Sequence, residues 1–428
     1  MSGSGTTSAA APGRLTCTAC PLLCDDILPA SGRFANACTA GAEALAAAAA
    51  TREPSAQVDG IAIDPAQAIG RAAAAIVRAR RVLVTGLADA TLESVALACD
   101  LAEVVGAAVD AADAEVAQTA GPTVARIGGV TADWEELRDR ADLVVFWFCD
   151  PHDTHPRFVE RFVRPAPAQA AARRTIAVGP APVLAAGPTH LHLPLPREAA
   201  IDAARLLQTL LGTHEPDDRE TAAACATIRT AIESARCVAF VTRRGADPVG
   251  LVSWSVTGLV QALAHSRTAF ELPLGAGLDG SGANAAGAAA VSTWRYGAGG
   301  AIAAADRRGA DFLPGESDAR RLVSRGEIDC VLAVGRLPAS LEEALTGRGS
   351  DLSLVRVAAA FPPRDDAARP AVRLRCASSL AAPTGTMLRG DGRRITLSTA
   401  PAAADSMTGM LTALIASVRA AQDGKASP

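Results

Sequence analysis

Short apolar runs separated by stretches of helical periodicity recur from about residue 61 to residue 377. That alternation restricts the chain to βαβ units and a mainly parallel sheet, hence to the α/β class. The runs at 81–85, 143–148, 175–178 and 190–195 read as one series of strands, with a helix at 90–105 between the first two. A helix at about 217–235 leads into a second series at 237–242, 270–274, 330–334 and 354–358. The strings RVLVTG (81–86) and CVAFVT (237–242) look alike, and each opens a series. The pattern therefore predicts two Rossmann-like lobes, 59–215 and 216–362. The Pro/Asp-rich stretch 361–369 reads as a linker. Residues 363–428, with a strand at 371–377 and the turn-rich string GTMLRGDGRRITL (385–397), are expected to return to the first lobe. No short-period repeat is present.

At 428 residues the chain is too long for one simple core. With 49% hydrophobic and 20% charged residues it has ordinary globular composition. The net charge of -4 argues against nucleic-acid binding. Basic charge is arginine except for Lys425. No apolar stretch reaches the ~20 residues of a spanning helix. Residues 1–13, rich in Ser, Gly, Thr and Ala, read as a disordered tail without signal-peptide features. The expectation is a cytoplasmic protein, in which ten cysteines are ligands or buried thiols in preference to disulfides.

The strongest local signal lies in a cysteine-rich segment, 14–58. Cys17, Cys20 and Cys24 are spaced C-x2-C-x3-C, and Cys38 follows. Such spacing lets one loop wrap three thiolates around an iron–sulfur cube, with a distant fourth cysteine closing it. The same sulfurs suit tetrahedral zinc, or are simply buried thiols.

CTACPLLCDD (17–26) and NACTAGAE (36–43) resemble the N-terminus of the B-type subunit of formylmethanofuran dehydrogenase, a small molybdopterin oxidoreductase. DPHDTHPRF (150–158), the long string from Gly280 to Ser317, and GTMLRGDG (385–392) continue the resemblance in order along nearly the whole chain. It implies two parallel-sheet lobes of the formate dehydrogenase type behind the cysteine-rich segment, and a 4Fe–4S cluster on Cys17, Cys20, Cys24 and Cys38. One departure stands out. Where that family presents a metal-ligating cysteine beside a histidine, this chain has Thr119 and Ala120, followed by Gly121-Pro122. A hydroxyl is a poor ligand for a soft metal, and alanine moves no proton. Catalytic residues are therefore expected to be absent, together with molybdopterin and its Mo or W. Cys149 is the other thiol to consider as a substitute ligand, and it lies outside the motif.

This loss matches the B-type subunit of the bacterial formyltransferase/hydrolase complex. The resemblance implies partners there: an amidohydrolase-like A subunit, a formyltransferase D subunit and a C subunit. The complex serves tetrahydromethanopterin-linked formaldehyde oxidation and uses a methanofuran-like carrier. The alternative is a redox-active B-type subunit of formylmethanofuran dehydrogenase, with pterin and cluster.

Other motifs carry weaker expectations. Gly280, Gly282, Asn284 and Gly287 could line a residual pterin crevice, since small residues admit a phosphate to the backbone. A close-packed turn is the plainer reading. His152 and His155, with Asp150 and Asp153, suggest acid/base or metal chemistry, but Pro151 and Pro156 make the segment a loop. Trp294 and Tyr296 are read as an interface, a pocket wall or core. Arg307-Arg308 and Arg320-Arg321 could meet an acidic carrier chain, or face solvent as charge runs usually do.

Overall fold

Two parallel sheets organise the protein, and each belongs to its own unit: residues 1–115 with 278–428, and residues 116–277. The structure, a computed structural model, describes residues 8–9, 13–30, 33–49, 56–111, 127–164, 173–183, 190–196, 219–243, 251–278, 282–305, 310–313, 315–349, 351–361, 371–380, 384–398 and 405–426. Everything below concerns these residues.

In the first unit a seven-stranded sheet runs Ile61–Ile63, Ala56–Val58, Ala371–Arg375, Ser353–Ala358, Cys330–Val334, Val82–Gly86, Ala108–Ala111. Its last five strands are parallel. Val82–Gly86 and Cys330–Val334 are buried at every position, as strands covered on both faces must be. Taken in chain order these five follow the flavodoxin-like arrangement 2-1-3-4-5, with the direction reversing between Val82–Gly86 and Cys330–Val334. The outer hairpin 56–63 turns at Asp59-Gly60, whose φ angles of 50° and 80° suit an Asp-Gly turn.

Helix Pro65–Arg78 starts on Asp64, whose carboxylate accepts from Ala66 N at 3.0 Å and Gln67 N at 3.1 Å, with Pro65 in the first turn. It buries Ala68, Ala72, Ala73 and Ile76 against helix Met407–Ala426, which contributes Leu411, Leu414, Ile415 and Val418 to the same core. Small residues on one helix and large ones on the other let the two approach closely.

The second unit holds a five-stranded parallel sheet in the order His190–Pro194, Arg174–Gly179, Leu143–Trp147, Cys237–Arg243, Thr268–Leu274. This is the Rossmann-type order 3-2-1-4-5. Its core gathers Val145, Phe240, Ile228 and Val260.

Parallel α/β architecture is thus present, with the strands shared out differently from expectation. Residues 82–86 and 108–111 share a sheet not with 143–194 but with 330–375. The boundary at 215/216 falls inside the second unit, and CVAFVT is the fourth strand of that unit, not the opening of a lobe. One unit is inserted into the other, so chain order and sheet membership part company. Residues 371–375 and 407–426 do lie with 56–111. The expected disordered tail contributes Ser8–Ala9, paired parallel to Ile395–Thr396. No helix among the described residues is long and apolar enough to cross a membrane.

Candidate functional site

The cysteine segment folds as a tight loop on the first unit. A bridge between Leu15 and Ile27 closes it, and Cys17 N donates to Cys24 O at 2.8 Å. Leu23 takes φ 41° and its N–H donates to Cys20 O at 3.2 Å, while Leu22 N–H faces the Cys20 sulfur. Cys38 stands immediately before helix Thr39–Ala49, and Gly41 N donates to its Sγ at 3.3 Å. A Cβ on Gly41 would lie 3.2 Å from Cys17 Sγ and 3.4 Å from Cys38 Sγ, so glycine is what lets both sulfurs close in. Burial pushes the Cys20 thiol well above its ordinary range, and the neighbouring Cys24, Cys17 and Cys38 add to the shift. Gathered thiols with N–H donors suit a cluster. As placed, however, the described residues include no group of three or more His, Cys, Asp or Glu side chains that could hold a metal ion.

The motifs of the first unit meet at this loop. Hairpin Gly385–Leu388/Arg394–Ser398 packs Met387, Ile395 and Leu397 with Leu23 and Ala283. Gly390 N donates to Pro21 O at 2.9 Å. Asn284 is wholly buried and clasps two segments with three hydrogen bonds. Its backbone N donates to Ala88 O (2.6 Å), its Nδ2 to Ala90 O (2.6 Å), and its Oδ1 accepts from Leu388 N (2.8 Å).

This geometry gives three residues of the expected pterin crevice a role in packing. A Cβ at Gly287 would collide with the Asn284 amide, and one at Gly282 would sit 2.5 Å from the Ala88 carbonyl. Both glycines serve protein packing, and the polar atoms of Asn284 are spent on protein. Gly280, Thr119 and Ala120 lie outside the described residues.

The open space in this unit lies beside them, where the sheet order reverses. A cavity of about 360 Å³ sits past the carboxyl ends of Val82–Gly86, Cys330–Val334 and Ser353–Ala358, where open α/β sheets bind ligands. Alanines of helix Thr39–Ala49 and of 358–360 form its apolar wall. Hydroxyls form the other side, joined as Thr18–Ser379 (2.9 Å) and Ser94–Thr408 (2.8 Å). Asp89 and Arg336 pair at its rim. The backbone is contorted there: Gly86, Leu87 and Gly335 have φ of 91°, 73° and 80°. The volume is at the small end of ligand pockets, so it suits a single small molecule. Sequence reasoning missed Asp89 and Arg336. The signal was available, since each follows shortly after a buried strand and a glycine, Gly86 or Gly335, at or just past its end.

In the second unit DPHDTHPRF forms a loop after Leu143–Trp147, beginning beside Phe148 at φ 47°. His152 is exposed and pairs with Asp153 at 3.2 Å. His155 is buried, with the Trp134 ring edge-on at 6.3 Å, next to Phe158 and Phe162. The two imidazoles therefore have different surroundings and form no ligand pair. Burial pushes the Cys149 thiol up to about 12, which fits an inert buried group better than a metal ligand. Tyr296 is core, with its hydroxyl donating to Cys99 O at 3.3 Å, whereas Trp294 is 78% exposed under the Arg295 guanidinium. Arg321 pairs with Asp318 at 3.6 Å, and Arg307-Arg308 fall outside the described residues.

Burial likewise raises Cys330 and Cys376 to about 12. With Cys149 they are expected to resist Ellman's reagent at pH 8 in the native protein and to react only in denaturant. Unfolded thiols ionise near ~8.5. The native preference for the neutral thiol thus stabilises below that pH and is lost progressively as pH climbs toward about 12. Rapid native-state labelling at these three positions would contradict the assignment.

The fold and site define a two-unit α/β protein of doubly wound parallel sheets, with a cysteine loop docked beside a switch-point cavity in the first unit. The chain shares this fold with a chain in the X-ray crystal structure of the formyltransferase/hydrolase complex (FhcABCD) from Methylorubrum extorquens in complex with methylofuran. The TM-score is 0.67 at 19% sequence identity, covering 86% of this chain and 99% of that one. No protein-family model and no curated protein matches.

Proposed function

We propose that this chain is the B-type subunit of a formyltransferase/hydrolase complex. In this reading it works in the cytoplasm, within tetrahydromethanopterin-linked oxidation of formaldehyde to formate, as a non-redox, scaffold-like member. The observation that carries the reading is the fold shared with the FhcABCD chain along 99% of that chain's length. The Thr119-Ala120 pair supports the non-redox part, because neither residue replaces a thiolate ligand or a proton-transferring imidazole. Its partners would be an amidohydrolase-like A subunit, a formyltransferase D subunit and a C subunit. It would meet the methanofuran-like carrier only through them.

Cys17, Cys20, Cys24 and Cys38 are the residues that would hold a 4Fe–4S cluster. When bound, such a cluster would cross-link the loop to helix Thr39–Ala49, and its charge would offset the burial that now keeps Cys20 protonated.

The tagged chain, purified from the host that encodes it, is expected to bring down the A, C and D subunits with neither tungsten nor molybdenum in stoichiometric amount. About four irons per chain, with matching sulfide, are expected to disappear on Cys20→Ala. Tungsten or molybdenum at one per chain would overturn the non-redox reading in favour of a redox-active formylmethanofuran dehydrogenase chain of the same B type. Recovery of the chain without those partners would overturn the assignment to the complex itself.

A further inference from the structure

In doubly wound sheets the carboxyl ends of the strands flanking the switch point receive anions, because backbone N–H groups there face outward. In the first unit that position already holds a negative charge, and it comes from the chain itself. Asp89 follows the first strand and Arg336 the neighbouring one. Arg336 brings three donors to a single carboxylate: its backbone N at 3.0 Å and Nε at 2.9 Å to Oδ2, and Nη2 at 3.1 Å to Oδ1. A guanidinium fork joined by a main-chain amide is the donor set that recognises carboxylate or phosphate oxygens.

The carboxylate is also seated by design of its surroundings. Gly335 turns the chain at φ 80°, and a Cβ there would come within 2.9 Å of Asp89 Cβ. A Cβ on Gly282 would run into the Asp89 carboxylate itself. Asn284 holds both Ala88 and Ala90, the residues on either side of Asp89. Two missing side chains and one buried clasp thus fix a carboxylate against an arginine at the mouth of a cavity.

The geometry points to Asp89 as a built-in anion: its carboxylate fills an oxyanion position formed by Arg336, and removing it exposes a binding site for a phosphate-class anion. This stands on the Asp89–Arg336 arrangement and does not require the function proposed above.

The test uses the full chain and inorganic phosphate, with chloride at matched ionic strength as control. Wild-type protein is expected to melt at the same temperature in both salts. Asp89→Ala is expected to melt lower in chloride and to gain about 3 °C from about 10 mM phosphate. Asp89→Ala combined with Arg336→Ala should show no such gain. Circular dichroism confirms that each variant is folded. If Asp89→Ala does not fold in chloride, refolding in phosphate is expected to rescue it, and Asp89→Ser repeats the titration. Equal melting of a folded Asp89 variant in the two salts would overturn the proposal, as would failure of both variants to fold in either salt. A phosphate gain in the wild type equal to that of Asp89→Ala would overturn it too, since the position would then not be filled.

Discussion

Replacing Arg173 by alanine is expected to lower the stability of the second unit by about 4 kcal/mol, the sum of several stranded carbonyls. This arginine is buried on all but 6% of its surface. Its Nε donates to Ala141 O at 2.6 Å, and its Nη1 to Val163 O at 2.5 Å and Phe162 O at 3.2 Å. Nη2 reaches Arg138 O at 2.5 Å. These carbonyls lie at the ends of helix Trp134–Arg140 and the π-helical turn Val159–Val163, where the intrahelical donors run out. Burial pulls the guanidinium pKa below its ordinary value, but not far enough to discharge it at neutral pH. Lysine cannot span the same fork, so Arg173→Lys should recover only part of the loss. Three of the four tryptophans, Trp134, Trp147 and Trp254, lie in this unit, and their fluorescence reports its denaturation. A midpoint displaced by about 10 °C for alanine is expected. A change under about 1 kcal/mol would show that water satisfies these carbonyls instead.

Asn284→Ala is expected to cost the first unit about 3 kcal/mol, because it leaves the buried Ala90 O and the half-buried Leu388 N–H without their partner. Asn284→Asp separates the hydrogen bonds from the volume. The introduced carboxylate can still accept from Leu388 N, but it faces Ala90 O with a second acceptor. Its native pKa should rise above the unfolded value. The variant is then closest to wild type below that unfolded pKa, near ~4, and loses stability as pH rises. Denaturant titrations at acid and neutral pH check this. A variant equally stable at both would sink the clasp as described.

Class and topology were legible to different degrees. Strands such as Cys330–Val334 announce themselves as unbroken apolar runs, and the parallel α/β class follows from them. Sheet membership was not legible, because the residues that decide it are far apart: Val82 pairs with Cys330, and Leu143 with Val238. A local pattern holds no trace of which distant strand is the partner. Hairpin 56–63 was overlooked although its Asp-Gly turn is a recognisable signal. At the candidate site, cysteine spacing singled out a segment that folds as a tight loop. The glycines of GSGANAAG read equally as ligand contacts or as packing, since both require a missing Cβ. Only the position of the Asn284 amide beside Gly287 separates the two. Trp294 and Tyr296, two residues apart on one helix, divide between surface and core because such neighbours point to different sides.

The insertion of one unit within the other also sets the order in which the molecule can be completed. On a ribosome adding about 5–20 residues each second, the segment 82–86 emerges tens of seconds before its central partner 330–334 exists. Meanwhile the inserted unit has all five of its strands and can close around them. The nascent amino-terminal portion can pair the run 82–86 with 108–111, and is left with its other edge, an apolar β-forming one, still unpaired. Holdase chaperones should therefore engage translating ribosomes in the interval between those two segments, and release should coincide with arrival of the later one.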